Sequence, residues 1–200
     1  FNILAGIVGR VIFVLLSEYN EGLKDAMTDI DMTVYSQGAK AFLKYGNTDT
    51  VPEFKYSPLV ALLALPLSFS HLAFKLGVAM LDVVNGVLYS RIAEELYGRN
   101  RGGVTLTMYI YNPLIVAIAC RGSFEAPCSF FVAAGTLLYL RKSYMLSGLC
   151  FGVAAQLRIY PIVFWPTLVL ATRSYSFTTG FVVGVLPVVL GLRQAFAFHV

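Results

Sequence analysis

Asp29 and Asp31 lie two positions apart in the segment Thr28-Asp29-Ile30-Asp31, just before a stretch with helical periodicity. A carboxylate can take the proton of an attacking hydroxyl as a general base, and a pair of carboxylates can contact a divalent metal. The same pattern also predicts an ordinary helix start, with Asp29 as the N-cap and Asp31 as a first-turn acid. Short Asp-x-Asp matches arise often by chance, so the spacing alone favours the capping interpretation.

Arg121, Ser123 and Glu125 form a second polar cluster, at the end of a long uncharged run that contains Asn112-Pro113. Arg and Glu four positions apart can pair across one helical turn. They can equally bind a phosphate and a sugar hydroxyl at the membrane surface, because ionisable groups at membrane depth are commonly functional. The sequence leaves both interpretations open.

Arg158 and Tyr160 interrupt two short apolar runs, and Lys55 and Tyr56 join an acidic segment to the apolar run after it. A guanidinium near lipid is costly unless it meets an anion, so we expect Arg158 to contact an anion rather than act as a snorkelling anchor. Lys55 and Tyr56 are expected at headgroup depth. The pattern favours an aromatic-belt role for Tyr56, with substrate binding as the alternative.

The composition predicts the elements that must position these residues. Of 200 residues, 58% are hydrophobic and only 13% are charged, against roughly 25% charged in soluble domains. Several uncharged runs approach the length of a helix that crosses roughly 30 Å of hydrocarbon. The sequence therefore predicts an all-α fold, a polytopic transmembrane helical bundle.

Two other classes of protein are disfavoured by the charge and cysteine patterns. The net charge of +4 arises from basic residues scattered between apolar runs, without the basic stripe of a nucleic-acid-binding protein. Cys120, Cys128 and Cys150 form no C-x-x-C pair, so neither a zinc site nor a disulfide framework is indicated. We expect them to be small core residues.

Seven of the 11 acidic residues fall between residues 17 and 57. We expect this segment to be a hydrophilic loop on one side of the membrane, with an amphipathic helix at about 31–45 that ends at Gly46. The stretch 58–68 is expected at the interface. Membrane crossings are then predicted at 1–16, 74–90, 104–120, 126–140, 143–157, 159–172 and 177–198.

This order of crossings gathers the candidate residues on one face of the membrane. The basic positions 91–101, 141–142 and 173 fall on the other face, which the positive-inside rule makes cytoplasmic. Asp82, inside an apolar run, is expected to pair with a basic group in the bundle. The whole sequence, 1–200, is interpreted as a single membrane domain and a fragment of a longer chain. It comprises an acidic loop at 17–57 and transmembrane helices at 58–200.

Four ordered segments carry a resemblance to a known family. They are Thr28-Asp29-Ile30-Asp31 with Val34-Tyr35, then Lys55-Tyr56-Ser57-Pro58-Leu59, then Asn112-Pro113 with Arg121-Gly122-Ser123, and Arg158-Ile159-Tyr160-Pro161. Over most of residues 25–165 the chain resembles the catalytic subunits of GPI mannosyltransferase I, membrane glycosyltransferases of the GT-C class. Two positions depart from the family: Gln156, where it often has His, and Ser123, where it often has Asn. No catalytic role is carried to position 156.

The resemblance implies a multi-pass enzyme of the endoplasmic reticulum membrane with a luminal acidic loop and a luminal active site. Such an enzyme moves the first mannose of the GPI anchor from dolichyl-phosphate mannose to glucosaminyl-phosphatidylinositol in an α1,4 linkage, with a small accessory membrane subunit. A β-linked donor and an α-linked product imply a single inverting displacement.

Within that reaction, we expect Asp29 to be the general base and Asp31 to orient the acceptor or a metal. Arg121 and Arg158 are expected to bind the donor phosphate. Lys55, Tyr56, Ser123, Glu125 and Tyr160 complete the set of donor-binding and acceptor-binding candidates. A lipid monophosphate carries less charge to bridge than a diphosphate, so a divalent metal is left open, with Asp29 and Asp31 as its ligands.

Two alternatives come from outside this reaction. One is a transferase that uses dolichyl-phosphate mannose with a different acceptor. The other is a non-catalytic membrane scaffold, in which the acidic loop is a docking surface and the acidic pair tolerates Asn. A transporter is disfavoured, because the Gly- or Pro-interrupted runs do not recur in related halves.

Overall fold

The computed structural model describes residues 2–20, 22 and 28–197. Every regular element in those ranges is a helix, which confirms the all-α prediction. The α-helices are α1 Asn2–Tyr19, α2 Met32–Tyr45, α3 Pro58–Leu63, α4 His71–Tyr97, α5 Arg99–Ile110, α6 Pro113–Cys120, α7 Glu125–Leu140, α8 Tyr144–Leu157, α9 Phe164–Thr172 and α10 Tyr175–Ala197, with 3-10 helices at Leu65–Ser68 and Tyr160–Val163. Glu21 and Asp25 of the predicted acidic loop, and the last residue of the predicted crossing 177–198, lie outside the described residues.

The loop helix α2 confirms the amphipathic helix predicted at 31–45. Its buried face includes Met32, Tyr35 and Ala39, whereas Lys40 is exposed. The helix ends at Gly46, which has φ +73° and donates its N–H to the carbonyl of Phe42. Glycine suits this left-handed position because it has no Cβ to clash with the backbone.

Helix α4 is the one described helix that is long and apolar enough to cross a membrane, judged by length and composition. The bent pair α5 and α6 becomes a second candidate when it is counted as one span. Helices α7, α8 and the segment Tyr175–Leu186 of α10 are apolar but shorter. The seven crossings therefore stay a prediction.

The crossing predicted at 104–120 is broken. Helices α5 and α6 meet at an angle of 58°. Pro113 occupies the first turn of α6, and the Asn112 side chain accepts from the N–H groups of Leu114 (3.0 Å) and Ile115 (3.4 Å). This cap replaces the carbonyls of the preceding turn, so a new helix starts where a continuous one was expected.

The stretches at 58–68 and 159–172 are also divided into short pieces. The first consists of α3 and a 3-10 helix, and its six-residue α-helix is too short to cross hydrocarbon, in line with an interfacial position. The second begins as the 3-10 helix Tyr160–Val163 and continues as the nine-residue α9. Proline at 161 limits the local hydrogen bonding and explains the irregular start.

Helix α4 lies at the centre of the fold, where it packs against α1, α5, α6 and α7. Its Asp82 accepts from Arg10 of α1, at 2.7 and 3.0 Å, and from the Tyr109 hydroxyl of α5 at 2.8 Å. Arg10 and Asp82 are 1% and 3% exposed, so this ion pair ties α1, α4 and α5 together inside the bundle. It confirms the predicted pairing of Asp82 with a basic group.

Helices α8 and α10 approach closely along small residues. A Cβ added at Gly148 or Gly152 would meet the backbone of α10, and one added at Gly180 or Gly184 would meet the backbone of α8. Small residues of this kind let two helix backbones approach closely. Close packing favours helix association in lipid, where the hydrophobic driving force is weak. The Gln156 amide adds a hydrogen bond to the Gly184 carbonyl.

The three cysteines are free, and Cys120 and Cys128 are buried. Their positions confirm the prediction of core residues.

Candidate functional site

Residues 28–31, the acidic segment that carries both aspartates, are fixed to the turn after α6 by hydrogen bonds to the main chain of the segment. The Asp29 N–H donates to the carbonyl of Arg121 at 3.1 Å, and an Arg121 side-chain N–H donates to the Thr28 carbonyl at 3.4 Å. Lys75 of α4, which is 1% exposed, donates to the Thr28 hydroxyl and pairs with Glu18, both at 3.0 Å. The start of the acidic segment is thus held beside the arginine turn.

Asp31 is held by two tyrosines. Its Oδ2 accepts from the Tyr56 hydroxyl at 2.5 Å and from the Tyr35 hydroxyl at 3.3 Å. Burial and the hydrogen bond to Asp31 raise the pKa of Tyr56, and burial likewise raises the pKa of Tyr35. Both hydroxyls therefore keep their protons at neutral pH and remain hydrogen-bond donors to the carboxylate.

The two aspartates have different surroundings. Asp29 is half-buried, and its Oδ1 accepts from the N–H of Asp31 at 3.0 Å. Asp31 occupies the N-cap position of α2 but makes no side-chain capping bond. The capping interpretation put Asp29 at the N-cap, whereas the N-cap of α2 is Asp31. The Asp29 carboxylate accepts instead from an N–H two residues on, before the helix begins.

The second part of the cluster is an ion pair between Arg158 and Glu125, with Arg158 Nε 3.2 Å from Glu125 Oε1. The Tyr160 hydroxyl donates to the other carboxylate oxygen of Glu125, also at 3.2 Å. Arg158, Glu125 and Tyr160 were all site candidates, and the fold brings them together. The alternative in which Glu125 pairs with Arg121 is wrong, because the α7 start directs Glu125 toward Arg158.

The two parts of the cluster meet at Arg158. Burial opposes its charge, but the electrostatic influence of Tyr35 and Glu125, with smaller effects of Tyr56 and Asp29, leaves the pKa of its guanidinium raised. Leu157, the residue before Arg158, lies in the same buried cluster as Met32 and Tyr35, so the Arg158 turn is close to the start of α2. The guanidinium keeps its positive charge opposite these groups.

Both arginines have a buried N–H without a hydrogen-bond acceptor among the described residues. These atoms are Arg121 Nε and Arg158 Nε, since the contact of the latter with Glu125 lacks hydrogen-bond geometry. A buried donor without an acceptor is costly.

Gly122 and Ser123 shape the turn that carries Arg121. Gly122 has φ +78°, and a Cβ there would collide with the Met32 side chain at the start of α2. Ser123 is 6% exposed, and its hydroxyl accepts from the Glu125 N–H at 3.4 Å. Ser123 therefore shapes the start of α7 rather than the open face of the cluster.

One residue that the sequence predicted for the site lies outside the cluster, and two residues that belong to the cluster were not predicted. Lys55 is exposed, and in the described part of the chain its side chain makes no hydrogen bond or ion pair. Tyr35 and Lys75 were not site candidates. Tyr35 could have been found from its place one helical turn after Asp31, on the same face of α2.

No group of three or more His, Cys, Asp or Glu side chains within the described ranges is arranged to hold a metal ion. Asp29 and Asp31 supply only two carboxylates, and each has one oxygen in a hydrogen bond. The residues present do not form a metal centre by themselves, and no step below passes through a metal.

The described ranges thus contain apolar helices and a cluster of three carboxylates, three tyrosines and two arginines. The profile of glycosyltransferase family 87 matches residues 54–198. The chain belongs to this family. The matched range contains Tyr56, Arg121, Glu125 and Arg158, whereas the aspartate pair precedes it.

Curated relatives are similar at lower identity. The chain is 28% identical over 160 residues to "GPI mannosyltransferase 1" of Saccharomyces cerevisiae, covering 78% of this chain and 39% of the yeast protein. It is 28% identical over 178 residues to the protein of the same name from Eremothecium gossypii, covering 86% and 44%. It is 28% identical over 169 residues to "GPI alpha-1,4-mannosyltransferase I, catalytic subunit" of Danio rerio, covering 82% and 43%.

The chain spans about two fifths of the length of the curated relatives it matches. No solved structure matches it.

Proposed function

We propose that the protein is a mannosyltransferase of GPI-anchor biosynthesis in the endoplasmic reticulum membrane. The donor is dolichyl-phosphate mannose, and the acceptor is glucosaminyl-phosphatidylinositol, which receives its first mannose in an α1,4 linkage. The family and the names of the relatives support the mannosyl transfer. The word "subunit" in the zebrafish name supports a small accessory membrane partner.

The observation that carries the proposal is the meeting of Asp29 with the arginine turns. The Asp29 N–H donates to the Arg121 carbonyl at 3.1 Å, and Leu157, the residue before Arg158, packs in the same buried cluster as Met32 and Tyr35 of α2. Inverting transfer needs a base for the acceptor hydroxyl and positive charge for the leaving phosphate. These two requirements are met within one cluster.

In this mechanism Asp29 removes the proton of the acceptor hydroxyl as that oxygen attacks the anomeric carbon. Arg121 and Arg158 stabilise the phosphate that leaves with the lipid, because a guanidinium keeps its charge and binds phosphate oxygens in a fork. Asp31 is held by Tyr35 and Tyr56 and orients the acceptor. Glu125 keeps the Arg158 guanidinium in place through their ion pair.

The membrane arrangement proposed with this reaction is the one of seven crossings, with the acidic loop 17–57 and the turns at 121–125 and 158–161 on the luminal side. The hydrogen bond between Arg121 and Thr28, and the packing of Leu157 in one cluster with Met32 and Tyr35, support a common side for the loop and both turns. The lipid substrates would then approach the cluster from within the membrane.

The test is Asp29→Asn in the full-length protein, assayed in microsomes with labelled donor and glucosaminyl-phosphatidylinositol. Loss of the base is expected to lower turnover by about a hundred- to ten-thousand-fold. Asp49→Asn, an exposed acid of the same loop, is the matched control and should keep normal turnover at equal protein level. Near-normal transfer by Asp29→Asn would remove the proposed base.

A further inference from the structure

Lys75 of α4 is a charged residue that the proposed reaction does not use, and it is 1% exposed. Lysine is rarely buried to this extent unless its ammonium is paired. The ammonium lies 3.0 Å from Glu18 Oε2 in the last turn of α1, and it donates to the Thr28 hydroxyl, also at 3.0 Å. One side chain therefore connects α1, α4 and the acidic segment.

The aliphatic stem of Lys75 lies beside the turn that carries Arg121. A Cβ added at Gly122 would be 3.2 Å from Lys75 Cγ, and it would also meet the Met32 side chain at the start of α2. The stem is thus close to Gly122 while the ammonium reaches Thr28. Both parts of the side chain border the residues that hold the Asp29 main chain.

The stability of the fold does not by itself explain a lysine at this position. A buried ion pair contributes little net stability, because the loss of hydration offsets the attraction between the two charges. The dipole of α1 disfavours an acid such as Glu18 in its last turn. An apolar side chain of similar length would fill the same space, but it could not donate a hydrogen bond to Thr28.

The hydrogen bond to Thr28 acts on the residue that directly precedes Asp29. Arg121 already donates to the Thr28 carbonyl at 3.4 Å and accepts from the Asp29 N–H at 3.1 Å. Lys75 adds a third attachment, at the Thr28 side chain, so two consecutive residues are held from both the main chain and the side chain. Because the ammonium is shielded from solvent, it acts on a substrate only through these residues.

We infer that Lys75 is a positioning residue for the transfer, because its hydrogen bond to Thr28 fixes the main chain from which the Asp29 carboxylate extends. The inference rests on the proposed function for the role of Asp29. Lys75 touches neither substrate, and it keeps the base at a set distance from the acceptor hydroxyl. A misplacement of about 1 Å can cost on the order of a hundredfold in rate.

The first experiment removes the contact from the Thr28 side and keeps the ion pair between Lys75 and Glu18. Thr28→Val deletes the hydroxyl in the full-length protein, and Thr28→Ser retains it. Thr28→Val should lower kcat about tenfold without a change in the KM for donor or acceptor, because the base is displaced while the binding groups remain. Thr28→Ser should restore kcat to near the wild-type value.

Three outcomes of this experiment would overturn the inference. They are a normal kcat in Thr28→Val, a loss in Thr28→Ser as large as in Thr28→Val, and a rise in donor KM without a fall in kcat.

The second experiment changes the lysine itself. Lys75→Met keeps an unbranched stem and removes the ammonium, and Lys40→Met, at an exposed lysine of α2, is the matched control that should keep the wild-type kcat. At equal protein level, Lys75→Met should lower kcat in the wild-type background but cause little further loss in an Asp29→Asn background, because the group it positions is already removed. A purely structural role would lower turnover equally in both backgrounds, and that result would contradict the inference.

Amide hydrogen exchange separates the inference from the proposed reaction, because it requires no turnover. The Asp29 N–H should exchange faster in Thr28→Val and Lys75→Met than in the wild type, and at the wild-type rate in Thr28→Ser. Unchanged exchange in Thr28→Val, or faster exchange with a normal kcat, would overturn the positioning role. Faster exchange in a protein whose wild type transfers no mannose would refute the mannosyltransferase and preserve the anchoring of Thr28 by Lys75.

Discussion

Removal of the Tyr56 hydroxyl tests the proposed division of roles, in which Asp31 orients the acceptor and Asp29 is the base. Tyr56→Phe keeps the ring, which packs edge-on against Tyr35 and Phe54. It deletes the 2.5 Å hydrogen bond to Asp31 Oδ2. Asp31 then turns more freely, and the acceptor that it orients reaches Asp29 in the productive position less often.

The size of the effect follows from that hydrogen bond. A hydrogen bond to a charged group contributes roughly 1.5–3 kcal/mol. Because the Tyr35 hydroxyl remains 3.3 Å from the same oxygen, the lower value of about 1.5 kcal/mol applies. This corresponds to an approximately tenfold loss in kcat/KM for the acceptor.

The assay compares acceptor titrations of the full-length wild type, Tyr56→Phe and Tyr45→Phe at equal protein level in microsomes. Tyr45 is an exposed tyrosine at the end of α2, so its substitution should leave kcat/KM unchanged. Tyr56→Phe should cost little further activity in an Asp31→Asn background, because both changes remove one interaction. Fully additive losses, or a Tyr56→Phe enzyme as active as Tyr45→Phe, would refute the proposal that the Tyr56 hydroxyl holds Asp31 in position.

Two further substitutions test the packing that supports the site. Arg10→Met should lower the free energy of unfolding by about 3–5 kcal/mol, because it leaves the Asp82 carboxylate buried without its cation. The measurement is thermal unfolding in detergent. Adding Asp82→Leu to Arg10→Met should recover most of the lost stability. Gly148→Ala should destabilise by about 1–3 kcal/mol through collision with the α10 backbone. Gly77→Ala, with no atom within 4 Å of the new Cβ, should instead stabilise by up to about 1 kcal/mol, and equal effects of the two would contradict the close helix approach.

The loop helix was predictable because its signals are local. Apolar periodicity predicted α2, and Gly46 predicted its end within a residue of the observed position. The burial of Asp82 opposite a cation was also predictable, since an acid in an apolar run must be paired. Arg10 could not be singled out as the partner from sequence, because 72 positions separate the two residues.

The broken helix shows where hydropathy fails as a guide. The run 104–120 has no charged residue, so composition predicts one crossing. The Asn112-Pro113 pair decides otherwise, because a side-chain cap and a proline at the first turn together start a new helix. The resulting bend of 58° between the two helices is not visible to hydropathy.

The contacts of the cluster were predictable only in part. Asp29, Asp31, Arg121 and Arg158 were selected as residue types able to perform transfer, and the fold gathers them. Their partners were not predicted, since an aromatic-belt role was favoured for Tyr56 and the pairing of Glu125 was left open. The direction of a side chain across a turn depends on tertiary packing rather than on spacing.

The hydrogen bonds that anchor the acidic segment decide which arginine substitution can test phosphate binding. Arg121 holds the Thr28 carbonyl through its side chain and the Asp29 N–H through its own carbonyl. Its replacement would displace the aspartate as well as remove a phosphate ligand, so a loss of activity would not distinguish the two roles. Arg158 has no main-chain contact with the acidic segment in the described ranges. A change at Arg158 therefore reports on the leaving phosphate more directly, and the base and the charge of the site can be separated by comparing Asp29 with Arg158.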